Sequence, residues 1–161
     1  MKQKNSEIPL LLSILDECYE RQAWHGPNLK GSLRGVSAKT AAWRPEPGRH
    51  NIWEIALHAA YWKYVVRRRL LGEKRGSFPV KGSNWFLRPE EATETSWKED
   101  RALLEDVHRS LRETIVGLSL RELQNTPPGS KVSTLRQIYG ISMHDVYHAG
   151  QIQALKRLAP R

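Results

Sequence analysis

Apolar residues recur at helical spacing in four long stretches of this 161-residue chain, and that recurrence constrains the fold more than any other feature. The first stretch runs from about Ser6 to Trp24; Ile8, Leu11, Leu12, Leu15 and Tyr19 share one face, and Gly26-Pro27 ends it. The second runs from about Asn51 to Leu71, with Ile55, Ala59, Trp62 and Val66 on its stripe. Asn51 is a suitable N-cap, Glu54 three residues on gives a variant capping box, and Gly72 is a suitable stop. The third runs from about Ser96 to Leu118, where Ser96 and Glu99 again have capping-box spacing, and Leu104, Val107, Leu111, Ile115 and Leu118 form the stripe. Pro127-Pro128-Gly129 breaks the chain before a fourth stretch from about Thr134 to Leu158, capped by Ser133 or Thr134 and with Pro160 beyond it. A short turn capped by Ser37 is expected from Ser37 to Trp43. Neither strand-like alternation nor an internal repeat is visible. The expected fold class is therefore all-α, a four-helix bundle forming a single domain over residues 1–161.

One segment resists periodicity. From Glu73 to Thr95 the chain holds Gly76, Pro79, Gly82 and Pro89 together with Phe78, Trp85 and Phe86. A loop this long is uncommon in a small domain and is often functional. It reads as a crossover between the second and third long helices that covers one end of the bundle.

Composition excludes several classes. Hydrophobic residues at 39% and charged residues at 27% describe a folding chain rather than a disordered one. The six Trp either supply the core or line a pocket. The single cysteine, Cys18, forms no intrachain disulfide and reads as a small buried hydrophobe on the first helix. The start, Met1-Lys2-Gln3-Lys4 and then a short apolar run from Ile8 to Leu15, is too short for a signal peptide, and no stretch approaches the ~20 apolar residues of a membrane span. A cytoplasmic protein without a membrane partner is expected. The net charge of +9 is partly gathered in Arg67-Arg68-Arg69 and Lys74-Arg75. Such a balance can answer nucleic acid, a membrane surface or an anionic ligand; the favoured reading is a solvated helix end, since cations near a helix C-terminus offset its dipole. Nucleic acid is a disfavoured partner, because no zinc-finger spacing, aromatic-interleaved strand or helix-turn-helix accompanies the charge.

Chemistry is concentrated in the histidines. On the fourth helix Ile138, Ile141, Ile152 and Leu155 define the apolar face; His148 falls inside that arc and His144 at its edge. Four residues apart, the two imidazoles stand one turn apart on one side, a spacing that lets them share a metal ion. His58 lies in the stripe of the second helix with Ile55, Trp62 and Val65. Three inward imidazoles on two helices are hard to satisfy by hydrogen bonds alone, since each has two ring nitrogens that need partners. His25, His50 and His108 read as surface or capping residues. Glu54, Asp145 and Gln151 are candidates to orient the ligands, and Glu54 is also a candidate fourth ligand.

Particular stretches carry a family resemblance: Trp43-Arg44-Pro45, then Ile52-Trp53-Glu54-Ile55-Ala56-Leu57-His58, then His144-Asp145-Val146-Tyr147-His148-Ala149-Gly150-Gln151-Ile152. With these, and with the order of elements over nearly the whole chain, the sequence resembles the DinB-like superfamily, including DinB/YfiT-like metalloenzymes and S-transferases of the bacillithiol type. The resemblance implies a four-helix bundle and a three-histidine metal site, with His58, His144 and His148 as ligands. It implies one divalent ion: zinc or nickel first, with iron admissible, because imidazole suits all three. It also implies a low-molecular-weight thiol as cofactor, an electrophilic small molecule as substrate, and a homodimer. Arg49 and Arg88 are candidates, from charge alone, to hold the carboxylates of that thiol.

Three functions compete at this point. The first is a metal-dependent enzyme, a thiol S-transferase or a related hydrolase or isomerase. The second is a non-catalytic metal-binding bundle of a stress response. The third is a basic nucleic-acid-binding module.

Overall fold

A computed structural model describes residues 7–160 of the chain. Among them there are seven helices and no strand: α1 (Glu7–Tyr19), α2 (Leu29–Ser32), α3 (Ala38–Ala42), α4 (Ile52–Leu70), α5 (Glu94–Val116), α6 (Leu120–Gln124) and α7 (Thr134–Leu158). Helix α4 packs against α5 and α7, and α1 packs against the same two. Each of the four longest helices thus has two of the others as neighbours around a shared interior, as the all-α expectation required. The predicted start of the first helix, at Ser6, lies outside the described residues.

Local chemistry explains most boundaries. The Asn51 side chain accepts from the Glu54 N–H to open α4, Ser133 accepts from the Arg136 N–H to open α7, and Ser37 caps α3. Gly72, at φ +67°, takes the left-handed conformation just past α4. Three expectations need correction. The first helix stops at Tyr19 rather than Trp24, where a turn sets in. The third long helix begins at Glu94, because the Thr93 hydroxyl accepts from the Ser96 N–H; Ser96 is inside the helix and is not its cap. Glu54 does not close a capping box, since its carboxylate points to other partners. The short helices α2 and α6 had not been anticipated.

Two Trp side chains anchor the core at the junction of α3, α4 and α5. Trp53 and Trp97 are fully buried, their ring centroids 5.0 Å apart. Each satisfies its indole N–H, Trp53 with Asp100 at 2.6 Å and Trp97 with the Val36 carbonyl at 2.8 Å. A second cluster, including Leu15, Val66, Leu111, Ile115 and Ile138, fills the interior between the C-terminal half of α4 and the start of α7. Cys18 is free and buried, and burial pushes its thiol up to about 11.

The long connection between α4 and α5 does not cover one end of the helices. It runs back along α4. The Tyr64 hydroxyl accepts from the Gly76 and Ser77 N–H groups; further on, Asn84 reaches Trp62 and His58; further still, the Arg88 carbonyl accepts from Asn51 at the start of α4. Phe86 is buried against Tyr61 and Phe78 on the way. Backbone and aromatic contacts spread along the segment hold it to the helix. Helical periodicity carries no information about such contacts.

Candidate metal centre

His58 comes from the middle of α4, and His144 and His148 come from successive turns of α7. Because α4 and α7 pack side by side, the three rings meet. One ligand atom from each lies within 4.8 Å of the others. The Nε2 atoms of His58 and His144 are 3.1 Å apart, and those of His148 and His144 are 3.0 Å apart. Two nitrogens on one tetrahedral ion, with bonds of about 2.0–2.1 Å, sit about 3.3 Å apart, so His144 is near the required spacing from each of the other two.

The outer nitrogens decide what the inner ones offer. His58 Nδ1 donates to the Asn84 carbonyl at 2.8 Å, which fixes its proton on Nδ1 and leaves Nε2 as a lone pair. With the Gln151 amide nitrogen facing the Tyr147 hydroxyl, its oxygen accepts from His148 Nδ1 at 2.7 Å, and His148 Nε2 is likewise a lone pair. All three rings are held neutral. Burial, with the neighbouring imidazoles, lowers His144 to about 3; burial lowers His58 to about 4 against its bond to Asn84, and lowers His148 against its bond to Gln151. A single proton on His144 Nε2 serves only one of its two contacts. At least one contact therefore sets lone pair against lone pair, and His144 Nδ1 is buried without a partner. This donor set fits a cation at its centre.

The remaining predicted residues divide. Gln151 is at the site, bonded to His148. Glu54 neither ligates nor orients His58. Arg44 grips both its oxygens, at 2.9 and 2.5 Å, and His50 Nδ1 and the Arg88 N–H bond it as well. Burial raises its pKa, and these donors more than reverse the effect, leaving it below the usual carboxylate range. Asp145 touches no histidine; it is fully buried and paired with the equally buried Lys63 at 2.5 Å, tying α7 to α4 one residue from His144. Burial pushes the Asp145 carboxyl up, to about 6, against the pull of Lys63. Arg88 is not a free cation at the entrance, since its guanidinium faces Asp100 and Glu90. Arg49 does line a cleft of about 610 Å³ whose walls include His50, Trp85, Tyr147, His148 and Gln151.

Several contributors were not foreseen. Trp85, from the long connection, stacks on His58 at 3.8 Å and on His50 at 3.6 Å. Asn84 supplies the carbonyl for His58 from a backbone at φ +63°, where Asn is among the few tolerated residues. His50 is exposed, as expected, and its ring also forms part of the cleft wall. His108, also expected at the surface, is buried and stacked on Tyr19 at 3.7 Å. The only available signal for Trp85 was an aromatic cluster within a long loop, and for Lys63 a lone cation within an otherwise apolar helical run.

A profile of the DinB superfamily matches residues 23–152, most of the chain and all three histidines. The chain belongs to the DinB superfamily. No curated protein and no solved structure matches it. No helix among the described residues is long and apolar enough to cross a membrane.

Proposed function

We propose that this member of the DinB superfamily is a metal-dependent enzyme that activates a low-molecular-weight thiol for attack on an electrophilic small molecule. The observation that carries the reading is the convergence of three neutral Nε2 atoms, two of them fixed as lone pairs by Asn84 and Gln151. Among the described residues no further His, Cys, Asp or Glu joins the group. Three protein ligands are the pattern of a catalytic site, whereas structural zinc sites have four. A divalent ion held there supplies the positive charge that keeps a thiol deprotonated near neutral pH.

The chain's own residues do the rest. Asn84 and Gln151 keep the imidazoles in the ligating tautomer. Trp85 covers His58 and limits water on that side. The cleft beside His148 has the volume of a small-molecule site, with Ile55 and Leu155 on its apolar side and, at its rim, Arg49, which would exchange its exposed contact with Glu46 at 3.6 Å for an anionic group of the thiol. In the reaction the thiol loses its proton to solvent, its sulfur forms a bond to the electrophilic carbon, and the bond to the leaving group breaks. Turnover of an alkyl halide or epoxide with a panel of small thiols tests this reading. Thiol-dependent product that vanishes in His148→Ala is expected; no turnover with any thiol by the metal-loaded protein would leave the transferase reading without support.

A further inference from the structure

The arginine run at the end of α4 does more than finish a helix. Arg68 and Arg69 line a second cavity of about 430 Å³, roofed by the stretch from Arg75 to Ser83, and Arg75 and Lys81 line it from that side. No carboxylate lines it. The nearest acid by sequence, Glu73, has its carboxylate on Arg67 at 3.1 Å, and offers Arg68 only its backbone oxygen at 2.9 Å. Among the described residues Arg69, Arg75 and Lys81 have no ion pair. Arg68 is only 8% exposed, and the Nε atoms of Arg68 and Arg69 are buried without an acceptor. Four cationic side chains around one cavity, with no carboxylate among them, repel one another unless an anion answers them. Burial, then the charges of Arg68 and Arg75, push Arg69 below its ordinary pKa, as expected where like charges crowd together.

We infer that this cavity binds a small phosphate-bearing molecule, a phosphate monoester or diphosphate, at a site separate from the three histidines. Guanidinium forks match phosphate oxygens two at a time, and Arg68, Arg69 and Arg75 reach the cavity from two of its walls. The volume lies in the small-ligand range, and Tyr61 and Phe78 in the wall offer aromatic surface to an organic portion. The shape argues against a polynucleotide, which would be tracked by an exposed strip rather than a pocket closed over by the chain's own loop.

The test is calorimetric titration of the full chain with adenosine 5′-monophosphate, inorganic pyrophosphate, adenosine and a 20-base-pair DNA duplex. The wild type is compared with Arg69→Gln/Arg75→Gln and with His144→Ala/His148→Ala. The monophosphate and pyrophosphate should bind and adenosine should not. The arginine variant should weaken binding at least tenfold, and the histidine variant should change it by less than twofold. Circular dichroism of the arginine variant, and the same titration with Lys81→Gln, separate loss of the site from loss of the fold. Equal binding by all variants, loss in the histidine variant instead, or tighter binding of the duplex than of the monophosphate would overturn the inference.

Discussion

His108 on α5 and His148 on α7 are equally buried, each 3% exposed, yet their surroundings differ in every other respect. His148 donates through one nitrogen to Gln151 and aims the other at His144. His108 has no partner at either nitrogen and lies flat against Tyr19, lowered to about 2 chiefly by burial and then by Lys63 and Arg112. Burial alone therefore does not mark a ligand. An outer acceptor that fixes the tautomer, and other nitrogens aimed at the same point, are what distinguish one. The two regions are joined by Lys63, which sits 4.9 Å from the centre of the Tyr19 ring and pairs with Asp145 beside His144.

That contrast can be broken most sharply at the three clustered histidines. His148→Ala should lower zinc affinity a thousandfold or more, read by competition with a chromophoric chelator, because removing a ligand costs more than the 10–100-fold typical of its supporting partners. Next is the joint between the regions. Lys63→Met leaves the Asp145 carboxylate buried without its cation, and should cost about 3–5 kcal/mol in urea unfolding. Lys63→Met combined with Asp145→Leu should recover much of that loss, since replacing a whole buried pair with apolar residues is often neutral. Gln151→Ala keeps all three histidines and removes only the acceptor for His148, so zinc affinity should fall about 10–100-fold with little change in stability.

His108 bears on stability in acid and not on the metal. Its pKa in the folded state lies far below the ordinary 6.5, so on acidification the unfolded chain takes up the proton first. Above pH 6.5 the group adds no pH dependence. Below it, stability should fall by about 1.4 kcal/mol per pH unit from this residue until the folded-state pKa is reached. Metal-free His108→Phe should lose that part of the slope between pH 6.5 and 4.5 in urea melts. It should bind zinc within twofold of the wild type at pH 7.

The histidine positions were legible because helix geometry is local. An i,i+4 pair must share a face, and caps such as Asn51 and Ser133 act within three residues of themselves. The errors arose where a residue's role depends on a distant partner. Spacing to Asn51 suggested a capping role for Glu54, but Arg44 and His50 take its carboxylate. His108 read as a surface or capping residue, and the packing of Tyr19 from α1 covers it. Thr93 and Ser96 are both good caps, and the acid at position 99 favoured the wrong one. The long connection was recognisable as unusual, but its path along α4 depends on backbone groups such as the Asn84 carbonyl, to which residue type is a poor guide.

Binding of one divalent ion by the three histidines is tested most directly by elemental analysis of untagged protein, purified and then dialysed with zinc, beside His144→Ala/His148→Ala treated identically. About one equivalent of metal per chain in the wild type and less than a tenth in the variant is the predicted result. A wild type that retains none, or a variant that retains as much, would contradict it.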